Sequence, residues 1–396
     1  MIAFSAVILP APPQRELRLR PDAPSARRSE EVTLAMDLSL DESQQILVDT
    51  FSEMLEKECP TTHVREHEES GFSPSLWARY CELGANVMGL PEATGGLEMS
   101  LLELGLVAQE SGKALAPVPF IETAVAGRLL ARISPEDPVL DAILAGEPAV
   151  SIVLPRPHAV LGTSKVAGGR ELVSFGSLVP TVLFLDDAGL HIAENGEKRR
   201  SQRLKDIGSG ALAHWSLDPA TDARTLATGE EARAAMRRAD AEWKLLAGFW
   251  QTGLAQRALS IGAAYARERV QFGVPIGGFQ AIAHPLAECA IRTDGAELLC
   301  QEAAWADTDD PIRFEMLASM AFTWASQTAI GAADRSLHTH GGYGFSNEYD
   351  IQLFYRRARA LASIAGGVQE ELQTVAELCF DRDGSGQAES LLGGAN

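Results

Sequence analysis

Tyr265–Gly273 reads YARERVQFG, and the residues on either side of it decide the fold. Upstream lies Gly253-Leu254-Ala255-Gln256-Arg257-Ala258-Leu259. Downstream come Pro275-Ile276, Phe279-Gln280 and then His338-Thr339-His340-Gly341-Gly342-Tyr343-Gly344-Phe345. Apolar residues at Leu245, Leu246, Phe249, Trp250, Leu254, Leu259 and Ile261 recur at three- and four-residue steps, the pattern of a long amphipathic helix. Phe272-Gly273 and Pro275 end it. A second helix begins near Phe279, and a third carries Met316, Leu317, Met320, Phe322 and Trp324 up to the Gly341-Gly342 turn. A fourth is expected from about Tyr349 to Leu378. Long helices joined by short links pack side by side, so residues 229–380 predict a four-helix bundle.

Working outward, residues 37–146 read as a helical domain. Ser39 and Asp41 offer caps, and Ile46, Phe51, Met54 and Leu55 form one apolar face before Cys59-Pro60 breaks it. His63 and His67 stand one helical turn apart, but the charges of HVREHEES favour a solvated helix over a metal site. Helices follow over Leu76–Gly84, Leu101–Gly112 and Pro119–Ile133. Between 147 and 228 the period changes. Val150–Leu154, Ala159–Leu161, Glu171–Phe175, Val179–Leu185 and Leu190–Ala193 are short apolar runs punctuated by glycine and Asp-Gly turns, which predicts a β-sandwich or barrel with no parallel sheet. Residues 1–36 and 381–396 read as disordered extensions, with Met36 a natural beginning of the chain.

These segments, taken together, resemble the acyl-CoA dehydrogenases over roughly residues 37–380. The C-terminal signature is R-x-x-F-G-x-P-I, then F-Q, then H-G-G-x-G-F followed by Glu348 and Arg356-Arg357. The N-terminal one is Leu76-Trp77 through Leu83-Gly84, followed by Pro91-Glu92 and Gly95-Gly96. The resemblance implies an α+β multidomain fold: a helical domain, a central β domain and a helical bundle. It implies FAD as cofactor and α,β-dehydrogenation of an acyl-CoA thioester, in which a carboxylate removes the α-proton and the β-hydrogen leaves as hydride. Arg269 and Phe272 match residues that contact the dinucleotide, and a guanidinium pairs bidentately with phosphate. Gln280 matches the glutamine after Phe. Gly341-Gly342 match a turn that approaches the dinucleotide of a neighbouring subunit. His338 stands where the family usually has Gln.

The catalytic carboxylate is the largest departure. Most members carry it just before the last helix, where this chain has Ala365 in Ser363-Ile364-Ala365-Gly366-Gly367. Others carry it on the long helix, twenty-six residues before the arginine of R-x-x-F-G, where this chain has Trp243. Glu242 is one residue off that register, about 100° around a helix. A local shift would make it the base; without one it is a charged residue of the first turns. Glu370 and Glu371 belong to the following helix. The central domain also lacks the T-E-P type segment of the family.

A net charge of −20 disfavours nucleic acid and anionic membrane surfaces. Acyl-CoA and FAD are themselves polyanions, so their sites need local Arg, Lys or helix N-termini. Cys59, Cys81, Cys289, Cys300 and Cys379 are scattered without metal-ligand spacing, which indicates free thiols and a cytoplasmic location. No transmembrane segment or internal repeat is evident. Three readings compete. One is an acyl-CoA dehydrogenase with Glu242 as an atypical base, passing electrons to an electron-transfer flavoprotein or similar acceptor. The second is a non-catalytic or flavin-sharing subunit paired with a related chain. The third is a CoA-ester or protein-binding scaffold without redox function. Apolar residues on more than one bundle face predict a dimer or tetramer, homomeric or heteromeric.

Overall fold

The computed structural model describes residues 38–155, 170–195, 202–217, 223–364 and 366–380. The expected extensions, the 159–161 run and Ala365 lie outside the described residues. Helix α1 (Glu42–Glu58) starts at a reciprocal cap: the Gln44 amide N–H donates to Asp41 Oδ1 at 2.8 Å, and the Gln44 side chain accepts from the Asp41 N–H. Short α2 (Thr61–Glu66) and α3 (Pro74–Glu82) follow, the latter capped by Ser73. Helices α4 (Leu101–Ala114), α5 (Phe120–Ile133) and α6 (Pro138–Leu144) complete the N-terminal layer. The short α6 escaped the sequence reading; Asp137-Pro138, a cap followed by a proline in the first turn, was its signal.

Among the described residues six strands come next: β1 (Val150–Ile152), β2 (Arg170–Val173), β3 (Thr181–Leu185), β4 (Leu190–Glu194), β5 (Ala213–Ser216) and β6 (Ala223–Ala227). They form a four-stranded sheet in the order β1-β3-β4-β6 and a two-stranded sheet of β2 and β5. Val182 and Phe184 of β3 turn toward Val173, Ala213 and Trp215 in a small core of their own, while Leu183 joins the main core against the helices. That alternation is the two-faced packing of a strand buried on both sides. One expectation is corrected here. β1 runs parallel to β3, pairing Val150 with Thr181 and Ile152 with Leu183, so the sheet is mixed. The long stretch between them, which includes β2, supplies the crossover that a parallel pair requires.

The bundle follows. Helix α7 (Gly229–Glu268) runs unbroken for 40 residues. A small hairpin of β7 (Val270–Gln271) and β8 (Val274–Pro275) leads to α8 (Gln280–Asp309), then α9 (Pro311–His340). The expected fourth helix is two: α10 (Ile351–Ile364) and α11 (Val368–Phe380). Gly366 and Gly367 take φ of +100° and +105°, a conformation that stops a right-handed helix although apolar periodicity continues across it. Helix α7 packs on α4 at backbone distance. A Cβ on Gly253 would lie 1.9 Å from the Gln109 carbonyl oxygen, and one on Gly112 would lie 2.0 Å from that of Trp250. Gly253→Ala should therefore destabilise the protein by about 1–3 kcal/mol in denaturant unfolding, despite alanine's better helix propensity. Unchanged stability would mean that the two helices separate freely.

Among the described residues, no helix is long and apolar enough to cross a membrane, and all five cysteines are free thiols.

Candidate active site

Three loci carry the predicted chemistry. The first is one end of the bundle, where α7 stops, α8 starts and α9 meets its glycine turn. Arg269 caps α7 and is exposed; its guanidinium sits 5.8 Å from the Tyr343 ring centre. Among the described residues no carboxylate pairs with it. Phe272, at φ +52°, is 94% exposed and meets Phe279 edge-on at 6.0 Å. Gln280 opens α8, and both Gln280 and His338 are exposed. Gly341 and Gly342 are exposed, and a Cβ on either would meet nothing within 4 Å. Beneath them His340 stacks on Tyr265 at 4.1 Å and bonds through Nδ1 to the Ser336 carbonyl at 2.7 Å, which makes it a structural residue. The donor set suits a dinucleotide: an unpaired guanidinium for a phosphate, exposed aromatic rings, and open glycine backbone. It is also one-sided, since it faces away from its own chain.

The second locus holds Glu242. Its carboxylate is fully buried, paired with Arg132 Nη1 at 2.7 Å, Arg238 Nε at 2.9 Å and Arg128 Nε at 3.2 Å. Arg128 and Arg132 are one turn apart on α5, and Arg238 is one turn before Glu242 on α7. Burial alone would raise the pKa, but the three guanidiniums outweigh it and hold the group at about 2. A base for an α-proton needs the opposite surroundings. Helix α7 is unbroken around Glu242. Its neighbour Trp243 is buried against Phe322 at 5.7 Å. Glu371 of α11 is likewise committed, 2.8 Å from the buried Lys244 ammonium, which also holds Asp240 at 2.8 Å.

The third locus is a cavity of about 130 Å³ between the start of α5, the 206–212 loop and α10. Val118, Phe120, Ile121, Leu212, Trp250 and Leu361 form much of its wall. Ile364, which precedes Ala365, lines it together with Glu122 and Ser174. Trp243 lines a smaller neighbouring space that also touches Ser174 and Ile364. The side chain of Glu122 was not anticipated from sequence. A lone acid after Phe120-Ile121 and before Ala124-Val125, inside an otherwise apolar helix, was the available signal.

Arg356 and Arg357 tie α10 to Glu68 beyond α2, and Arg357 Nη1 lies 3.5 Å from that carboxylate. His63 does not behave as a solvated residue: its Nε2 meets Ser73 Oγ, the α3 cap, at 2.8 Å. Glu66 lies beside His63 and His67, so three potential ligand groups come together. His63 and the His63 carbonyl, which His67 Nδ1 meets at 2.9 Å, are nonetheless used in packing α2.

Comparison with known proteins defines the class. Residues 233–377 match the acyl-CoA dehydrogenase C-terminal domain, and residues 41–137 match the acyl-CoA dehydrogenase N-terminal domain. The acyl-CoA dehydrogenase IpdE2 of Mycobacterium tuberculosis is 30% identical over 336 residues, covering 84% of this chain and 96% of that protein. The ChsE4-ChsE5 complex from Mycobacterium tuberculosis aligns with a TM-score of 0.77 at 25% identity, covering 87% of this chain and 99% of the other. A variant of the Tcur3481-Tcur3483 steroid ACAD aligns with a TM-score of 0.77 at 25% identity, covering 85% and 97%. The chain belongs to the acyl-CoA dehydrogenase family, whose members are FAD-binding oxidoreductases.

Proposed function

We propose that this chain is one subunit of a heteromeric FAD-dependent acyl-CoA dehydrogenase, and that a related chain supplies the carboxylate that removes the α-proton. The observation that carries this reading is the fate of Glu242. The nearest acid to a family base position is locked in three ion pairs, while Trp243 and Ala365 cannot accept a proton. The outward-facing bundle end supports it, because residues suited to a dinucleotide face away from their own chain. Two of the similar solved structures are themselves named as pairs of chains. The name of one includes a steroid, which supports a bulky acyl group as substrate. FAD, when bound, would accept the β-hydrogen as hydride and pass electrons on to an electron-transfer flavoprotein or similar acceptor. This chain's part is to hold the dinucleotide through Arg269, Phe272, Gln280, His338 and the Gly341-Gly342 backbone. The five free thiols support a reducing, cytoplasmic setting.

Sedimentation of the chain, alone and co-expressed with a related carboxylate-bearing chain, tests the assembly. The expected result is flavin retained only in an oligomer; a stable monomer that holds flavin would count against the proposal. Arg269→Ala should weaken flavin retention about 10- to 100-fold with little change in melting temperature. A phosphate contact of a charged donor is worth about 1.5–3 kcal/mol, whereas an exposed helix-end arginine contributes well under ~1 kcal/mol to folding. Equal flavin content in the variant and the parent protein would remove Arg269 from the site.

A further inference from the structure

His63, Glu66 and His67 stand at positions i, i+3 and i+4 along α2 and its C-cap. One ligand atom of each lies within 4.8 Å of those of the other two, and the two imidazole rings are 4.4 Å apart, centre to centre. Each ring already uses one nitrogen. His67 Nδ1 faces the His63 carbonyl at 2.9 Å. A carbonyl only accepts, so this nitrogen carries the proton and Nε2 keeps its lone pair. His63 Nε2 meets Ser73 Oγ at 2.8 Å, an oxygen that also accepts the Leu76 amide at 3.2 Å. With its proton on Nε2, His63 presents a free lone pair on Nδ1. Metal-ligating histidines are held in this way, one ring N–H donated to a protein oxygen while the other nitrogen faces the ion. Glu66 is exposed, and the adjacent Arg65 turns to Asp350 at 2.8 Å instead.

We propose that His63 Nδ1, His67 Nε2 and the Glu66 carboxylate bind a zinc ion, with water completing its coordination. Two imidazoles and one carboxylate are a donor set that suits zinc, whereas magnesium and calcium take oxygen donors. Rotation of side chains that are at least partly exposed brings them onto bonds of about 2.0–2.2 Å. The ion acts as a clip. Helix α2 has six residues, too few to hold itself as a helix, and the contacts around it tie the N-terminal layer to α10. Thr61 Oγ1 and Arg65 Nη2 each bond the Asp350 carboxylate at 2.8 Å, just ahead of α10, and Glu68 pairs with Arg356 on α10. Pinning the turn between these contacts holds both of them in place.

The test titrates zinc chloride into the full chain, first stripped of metal with EDTA, and follows binding by calorimetry and by melting temperature. The parent should take up one equivalent per chain and melt higher with zinc, since an ion bound only by the folded state stabilises it. The same concentration of magnesium should do neither. Loss of a supporting contact around a metal ligand costs about 10- to 100-fold in affinity, so removal of a ligand should cost at least as much. His67→Ala should therefore weaken zinc binding by about 100-fold or more, and Glu66→Gln by about 10-fold or more. Glu66→Gln changes one exposed carboxylate and guards against an alanine variant that does not fold. Cobalt(II) in place of zinc separates this site from the five free thiols, because nitrogen and oxygen ligands give no sulfur-to-cobalt charge-transfer band. Such a band, several weak equivalents in place of one, unchanged affinity in either variant, or no zinc uptake by the parent would each overturn the proposal.

Discussion

Purified by itself, this chain is expected to oxidise acyl-CoA thioesters about 100- to 10,000-fold more slowly than the same chain assembled with a carboxylate-bearing relative. That range is the usual contribution of a positioned general base, roughly 3–5 kcal/mol of barrier. The α-proton of a thioester is weakly acidic, so polarisation of its carbonyl cannot replace the base. Ala365 has no acid-base group, and the Trp243 indole cannot take up a proton near neutrality. Glu242 stays ionised down to about pH 2, and its lone pairs point at three guanidiniums. Steady-state rates on the separated and combined chains measure the difference directly. Full activity in the isolated chain would show that another group removes the proton.

Glu242→Gln should cost about 3 kcal/mol of stability, because it puts a neutral amide where a buried carboxylate met the partly exposed guanidiniums of Arg128, Arg132 and Arg238. The linkage relation gives a similar figure: a fall from 4.5 to about 2 corresponds to about 3 kcal/mol. The folded-state pKa is the lower one. That stabilisation is therefore complete above pH 4.5 and disappears as pH falls toward 2. The variant should melt earlier at neutral pH and lose the parent's steep decline in stability between pH 4.5 and 2. In the two-chain assembly its rate should match the parent's wherever both are folded. A normal melting temperature with a 100-fold or greater loss of rate would instead restore Glu242 as the base.

The bundle was legible because its helices repeat an apolar period over many turns and its links carry glycine and proline. The bundle end proposed to hold the dinucleotide stood out in the sequence because R-x-x-F-G, F-Q and H-G-G-x-G-F are local. Strands β5 and β6 were not: AHWS and ARTLA are short, and Arg224 and Thr225 face solvent, so neither run looks like a core strand. The break between α10 and α11 was hidden because Val368 and Leu372 continue the helical spacing past the glycines. Glu242 could be read as a base only because Arg128 and Arg132 lie more than a hundred residues away along the chain. Its pairing is a tertiary fact that no local pattern encodes. The parallel β1–β3 pair is of the same kind, set by a crossover rather than by either strand.

The glycine contacts between α4 and α7 bear on what holds the walls of the cavity. Gly105 faces the Phe249 ring, Gly112 the Trp250 backbone and Gly253 the Gln109 backbone, so the two helices mesh like a ratchet with full-depth teeth. Sliding α4 along α7 by one helical step would drive side chains into the Phe249 ring and into the Trp250 and Gln109 carbonyl oxygens. The N-terminal helices and the bundle therefore resist sliding past each other at this seam. The 206–212 loop on the cavity wall is held by hydrogen bonds instead: Asp206 to its own amides, Arg203 Nε to the Gly210 carbonyl at 2.8 Å, the Ser177 amide to the Ala211 carbonyl at 3.2 Å, the Leu204 amide to the Leu212 carbonyl at 2.8 Å, and Arg356 to the Ile207 carbonyl at 3.1 Å. None of those contacts belongs to the α4–α7 seam, so the loop's hold on the cavity and the seam's are independent.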